Sequence, residues 1–105
     1  MSKDALDRLA ATIRERRTAA HDESYTRQLL DDPIKSAKKV GEEGVEVAIA
    51  ATAQDRSALI SESADLLYHF LVLLESRDIA LDEVCEALEQ RMGISGLARH
   101  DVPAD

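Results

Sequence analysis

Cysteine occurs once in the chain, at Cys85, which excludes an intramolecular disulfide. With Val84, Leu88 and Met92 it falls at an apolar helical spacing and reads as core rather than as a nucleophile. Tryptophan is absent, and only Tyr25, Tyr68 and Phe70 supply rings. The core must therefore come from Leu, Ile, Val and Ala, the palette of a helical bundle. Two prolines and four glycines leave few breaks in 105 residues, in keeping with long helices. Positive charge is also scarce. Thirteen Lys and Arg against 21 Asp and Glu give a net charge of −8, which argues against nonspecific binding to nucleic acid or anionic lipid. A phosphate-bearing substrate stays compatible, because a bound cation inverts the local field. The longest apolar run, Phe70 to Leu74, is far short of a membrane span, and Met1-Ser2-Lys3-Asp4 leads into a charged amphipathic segment rather than a signal peptide. One cytoplasmic domain over 1–105 is expected, with about 94–105 a loosely held tail after two Gly/Pro breaks.

What remains reads as helices. Asp4 is placed to cap a first one with Leu6, Leu9, Ala10 and Ile13 on one side. Arg14, Arg16 and Arg17 crowd its far end, either compensating the helix dipole or contacting phosphate. Ser24 or Thr26 caps a short helical turn through Leu30. Asp32-Pro33 starts a long central helix, and Asp55 or Ser57 caps the next, which runs to about Glu75. A last helix spans about Leu81 to Met92 and ends at Gly93. Short links favour antiparallel neighbours. The expected fold is an all-α antiparallel bundle of four main helices plus a short one. Its modest core points to a homo-oligomer, with the all-round apolar stretch Leu66 to Leu74 as the foremost contributor to the contact.

The chemistry lies in two acidic stretches. At about 100° per residue, Glu42, Glu43 and Glu46 fall within one helical arc about 100° wide. That arc continues into Ala50 and Ala53 rather than into solvated side chains, so Glu46 is expected to point toward protein. On the next helix Glu62 and Asp65 share a face at i, i+3. Isolated carboxylates in a dry interior cost several kcal/mol, and two inward acidic faces need a shared counter-charge. Oxygen-only ligands select Mg²⁺, with Mn²⁺ as a substitute. Zinc is disfavoured because His21, His69 and His100 are scattered. A di-iron site lacks its second Glu-x-x-His element. Lys35, Lys38 and Lys39 either pair with the glutamates that follow or hold phosphate oxygens beside the cation. His69 either orients Asp65 or is a satisfied core histidine. Metal ions can neutralise a polyphosphate and generate the attacking hydroxide. Phosphoanhydride hydrolysis follows, with a spare glutamate taking the proton from water.

Glu42-Glu43-x-x-Glu46 followed by Glu62-x-x-Asp65 resembles the signature of the all-α, MazG-like nucleotide pyrophosphohydrolases. Ser24-Tyr25-Thr26 with Leu29-Leu30, Lys38-Lys39-Val40-Gly41-Glu42-Glu43 and Ala64-Asp65-Leu66-Leu67-Tyr68-His69 narrow the likeness to the phosphoribosyl-ATP pyrophosphohydrolase family of histidine biosynthesis, over about Leu6 to Leu97. The resemblance implies hydrolysis of 1-(5-phospho-β-D-ribosyl)-ATP to the AMP derivative and pyrophosphate, by a Mg²⁺-dependent homodimer. It implies Glu43, Glu46, Glu62 and Asp65 as metal ligands and Glu42 as a supporting carboxylate or base, Glu43 also acting in catalysis. Lys38, Lys39 and Arg91 become phosphate contacts. Some relatives carry a fused cyclohydrolase, and this chain is expected to act on the pyrophosphate bond alone. Gly44 stands where Ala is expected. The alternatives are a house-cleaning nucleoside triphosphate pyrophosphohydrolase with the same metal site, and a helical interaction module in which Glu46 and Asp65 are solvated.

Overall fold

The computed structural model describes residues 2–93; the expected tail and His100 lie outside them. Five helices follow one another: α1 (Ser2–Glu15), α2 (Tyr25–Leu30), α3 (Pro33–Ala53), α4 (Arg56–Ser76) and α5 (Leu81–Gly93), with two 3₁₀ turns between α1 and α2. Four are long and one is short, and no strand occurs among the described residues.

Local chemistry accounts for the boundaries. The Ser24 hydroxyl accepts from the Arg27 amide at the start of α2. Asp32 accepts from Lys35 N–H, with Pro33 in the first turn of α3, and Asp55 accepts from Ala58 N–H to open α4. Each side chain satisfies an amide that the helix cannot. Asp4 differs from expectation: α1 begins at Ser2, so Asp4 sits inside the first turn, where its charge still suits the dipole. Helix α4 closes in a Schellman arrangement, with Ile79 N–H bonded to Leu74 C=O and Asp78 N–H to Glu75 C=O. Asp78 takes the left-handed conformation this requires, at φ 58°, a region that Asp tolerates better than most residues.

Helices α3 and α4 form an antiparallel hairpin across the Gln54–Asp55 link, α1 packs on α4, and α2 packs on both α3 and α4. The core is small: Ile13, Leu29, Leu71 and Val72, with Leu6, Leu9, Leu30, Leu74 and Leu81 around them. Within the stretch Leu66 to Leu74, Leu71 and Val72 are thus taken up inside the chain, while Leu67 is exposed. Apolar surface is also left uncovered at Val45 and Ile49 on α3 and at Ile60 on α4. Helix α5 has no buried residue, and Leu88 and Met92 of its expected seam are exposed. A methyl group at Gly41 or Gly44 would meet nothing within 4 Å in the chain, so internal packing does not demand either glycine. By length and composition α4 could cross a membrane. It carries Glu62, Asp65 and Glu75 and packs against three helices, as the central helix of a bundle does.

The arginines at the end of α1 divide. Arg17 donates to the Glu75 carboxylate, to the Glu75 carbonyl and to Asp78, while Arg14 lies 3.7 Å from Glu75. Hydrogen bonds to Glu75 and then Asp78 hold the Arg17 guanidinium above its ordinary value. Arg17 therefore ties α1 to the end of α4 and has no fork left for phosphate. Arg17→Ala leaves the buried Glu75 carboxylate with only the more exposed Arg14, 3.7 Å away. A fully buried broken pair costs 3–5 kcal/mol. Arg17 is 39% exposed, so about 1–2 kcal/mol is expected after discounting for solvent screening, read as a fall in the urea midpoint. An unchanged midpoint would show that the pair contributes nothing.

Candidate metal centre

The α3 residues that turn fully inward are Ser36, Glu43 and Ala50, seven apart. A seven-residue step returns a helix to nearly the same face, so Glu43 stands mid-seam against α4. Opposite it, α4 presents Glu62 and Asp65. One oxygen from each of Glu43, Glu62 and Asp65 lies within 4.8 Å of the others. Glu43 is only 6% exposed. Its Oε1 and the Oε1 of Glu62 are buried and have no hydrogen-bond partner. Buried unsatisfied acceptors are rare, and two on carboxylates of one cluster fit a hard cation better than any donor on the chain.

Glu46 corrects an expectation. It is exposed, as is Asp65. Glu46 lies three residues past Glu43, about 60° round the helix from the seam, and the alanines that continue its arc do not bring a neighbour over it. It still meets Glu62. The Glu62 carboxyl is pushed above 4.5, first by a hydrogen bond with Glu46, then by burial, then by the negative charges of Glu46, Asp65 and Glu43. A carboxyl raised on folding adds stability that is complete below its unfolded value and lost as pH rises through the folded one. In chelator, the protein is thus expected to lose stability as pH climbs from about 4.5 through the raised value. Glu62→Gln should flatten that part of the profile. Superimposable unfolding curves for the two proteins across this range would contradict the shared proton.

The remaining candidates separate by position. Lys39 Nζ lies 3.8 Å from both Glu42 Oε1 and Glu43 Oε2, neutralising part of the site from the α3 side. Glu42 is exposed beside it, and Lys38 is exposed one turn before Glu42. Arg91 stands in the last turn of α5. His69 is a satisfied core histidine. Its Nδ1 lies 2.9 Å from the Asp65 carbonyl, not the carboxylate, and its Nε2 lies 3.2 Å from the Tyr25 hydroxyl. A carbonyl only accepts, so Nδ1 carries the proton, and in the neutral ring Nε2 accepts from Tyr25. The Tyr68 and Thr26 hydroxyls share a further hydrogen bond. These α2–α4 links join residues more than 40 apart in sequence, and no spacing rule announces them.

A sequence profile described as phosphoribosyl-ATP pyrophosphohydrolase matches residues 6–92. The chain belongs to the phosphoribosyl-ATP pyrophosphohydrolase family. It is 56% identical over 100 residues to the phosphoribosyl-ATP pyrophosphatase of Caulobacter sp. (strain K31), covering 93% of this chain and 94% of that protein. It is 52% identical over 98 residues to phosphoribosyl-ATP pyrophosphatase 1 of Rhodopseudomonas palustris, covering 92% of each. A third relative, from Ruegeria pomeroyi, is 53% identical over 91 residues, covering 86% of this chain and 87% of its own length. The profile match spans α3 and α4, the two helices that carry the carboxylate cluster of Glu43, Glu62 and Asp65.

Proposed function

We propose that this chain hydrolyses 1-(5-phospho-β-D-ribosyl)-ATP to the AMP derivative and pyrophosphate, the second step of histidine biosynthesis, as a cytoplasmic Mg²⁺-dependent homodimer. The observation that carries the reading is the pair of orphaned buried oxygens on Glu43 and Glu62, gathered with Asp65 in a chain of this family. These three side chains would hold the cation, with Glu46 joining from the solvent side. When bound, Mg²⁺ would neutralise the polyphosphate and lower the pKa of a coordinated water. Release of pyrophosphate requires that water attack the α- or the β-phosphorus and that the bond from that phosphorus to the bridging α–β oxygen break, which gives the same two products either way. The proton leaves the attacking water for a carboxylate outside the ligand set. Glu42 is the candidate, one residue from Glu43 and beside Lys39. Lys38 and Lys39 line the approach from the start of α3, where their charge would offset the phosphate oxygens.

Pyrophosphate release from phosphoribosyl-ATP, dCTP and dUTP, each with and without Mg²⁺, tests this reading. Turnover is expected to be fastest with phosphoribosyl-ATP and to vanish in chelator. Faster release from dCTP or dUTP would replace the proposed substrate with an ordinary nucleoside triphosphate. Undiminished turnover in chelator would remove the cation from the scheme.

A further inference from the structure

The two carboxylate-bearing helices need something to hold them at a fixed distance, since clustered acids repel when no cation lies between them. At one end of the hairpin the Gln54–Asp55 link does this. At the other end α2, six residues long, is bonded to both helices by side chains. It is tied to α3 where the buried Ser36 hydroxyl donates to the Leu29 carbonyl at 2.7 Å. It is tied to α4 twice, by Tyr25 to His69 and by Thr26 to Tyr68. Leu29 is itself fully buried in the core, so α2 has little freedom to drift. The His69 ring stands edge-on to Tyr68 at 4.9 Å and to Tyr25 at 6.1 Å, and its other nitrogen is bonded to the Asp65 carbonyl.

The register of these ties matters. Ser36 precedes Glu43 by seven residues, and His69 follows Glu62 by seven. Both spans are two helical turns, about 10.5 Å. The helices run in opposite directions, so both ties fall on the side of the carboxylate cluster away from the hairpin link. The cluster thus lies between the hairpin link and a cross-brace.

We propose that α2 is a strut that sets the spacing of Glu43 from Glu62 and Asp65, with Tyr25 and Tyr68 as positioning residues that tune cation affinity from outside the ligand set. This rests on the cation-site reading above. It gives the Ser24-Tyr25-Thr26 and Tyr68-His69 segments one joint task, holding the ligand helices in register.

Calorimetric titration of the substrate-free protein with Mn²⁺ tests it, comparing the wild type with Tyr25→Phe, Tyr68→Phe and Arg17→Ala. Each tyrosine variant keeps its ring and loses only the hydroxyl. Groups bonded directly to a ligand shift metal affinity by about 10–100-fold. These act through a backbone carbonyl and a helix, so the dissociation constant is expected to rise about threefold to tenfold in each. Arg17→Ala weakens the fold at the C-terminal end of α4, beyond the strut's own bonds, and keeps the Arg17 carbonyl to which Arg27 of α2 donates, so it should leave Mn²⁺ affinity at the wild-type value, separating spacing from general loss of stability. Tyrosine variants with wild-type affinity but a lower metal-free melting temperature would overturn the strut and leave the cation site standing. An equal loss in Arg17→Ala would overturn it also. Failure of the wild type to bind Mn²⁺ would remove the site reading, and the strut with it.

Discussion

Glu43→Gln is expected to cut pyrophosphate release by at least about a thousandfold, about 4 kcal/mol of transition-state stabilisation, while leaving the fold intact. The side chain is nearly buried at mid-seam, and one of its oxygens has no partner on the chain. Glutamine keeps the volume and removes the charge that a hard cation requires. It also removes one of three mutually repelling carboxylates, so the metal-free variant should melt at or above the wild-type temperature. The second readout follows by mass action: a hundredfold excess of Mg²⁺ over its dissociation constant stabilises a binding protein by about 2.7 kcal/mol. The variant should lose that increment. Asp65→Asn is expected to behave alike, since its oxygen belongs to the same cluster. Glu46→Gln should cost less, because Glu46 reaches Glu62 from the exposed side. More than a tenth of wild-type turnover in Glu43→Gln, with the Mg²⁺ increment retained, would rule out the proposed ligand set.

The difference between Glu43 and Glu46 marks how far residue spacing can be read. Helix starts were legible because Ser24, Asp32-Pro33 and Asp55 act on amides two or three residues away, and that local chemistry does not depend on the rest of the fold. The meeting of acidic faces was legible too, since Glu-Glu-x-x-Glu and Glu-x-x-Asp bring carboxylates onto common arcs of their helices. Which member of an arc turns inward is another matter. Neighbouring candidates differ by about 60°, and the choice is made by the seam with α4, which runs Ser36–Glu43–Ala50. Pairings across long separations left no trace at all. Arg17 reads as a spare cation until Glu75 arrives 58 residues later. Tyr25 and His69 read as unrelated until α2 packs on α4. The apolar run on α4 is legible only in part for the same reason: composition marks Leu71 and Val72 as needing cover, but not that the core with Ile13 of α1 and Leu29 of α2 provides it.

A charge placed on the outer face of α3 should separate the proposed dimer. On that helix the side opposite the α4 seam carries Gly41, Val45, Ala48 and Thr52, where a solvated helix would carry Lys and Glu. Val45 is 60% exposed within the chain, Ile49 lies beside it, and on α4 Ile60 is 58% exposed. An uncovered row of this kind, on a chain whose own core is four large side chains, points to a second copy as the missing cover. Burying an aliphatic side chain is worth about 1.5–3 kcal/mol. In a twofold interface each substitution acts twice, so Val45→Asp removes about 3–6 kcal/mol before the cost of the new charge is added. The dissociation constant should rise by at least about a hundredfold, the lower figure converted at 1.4 kcal/mol per decade. Sedimentation velocity at micromolar concentration is expected to give a dimer for the wild type and a monomer for Val45→Asp. Asp22→Asn, on an exposed 3₁₀ turn, should remain a dimer. A monomeric wild type would end the dimer proposal. A dimeric Val45→Asp would move the contact off this face, with the exposed Leu88 and Met92 of α5 as the next surface to carry the same substitution.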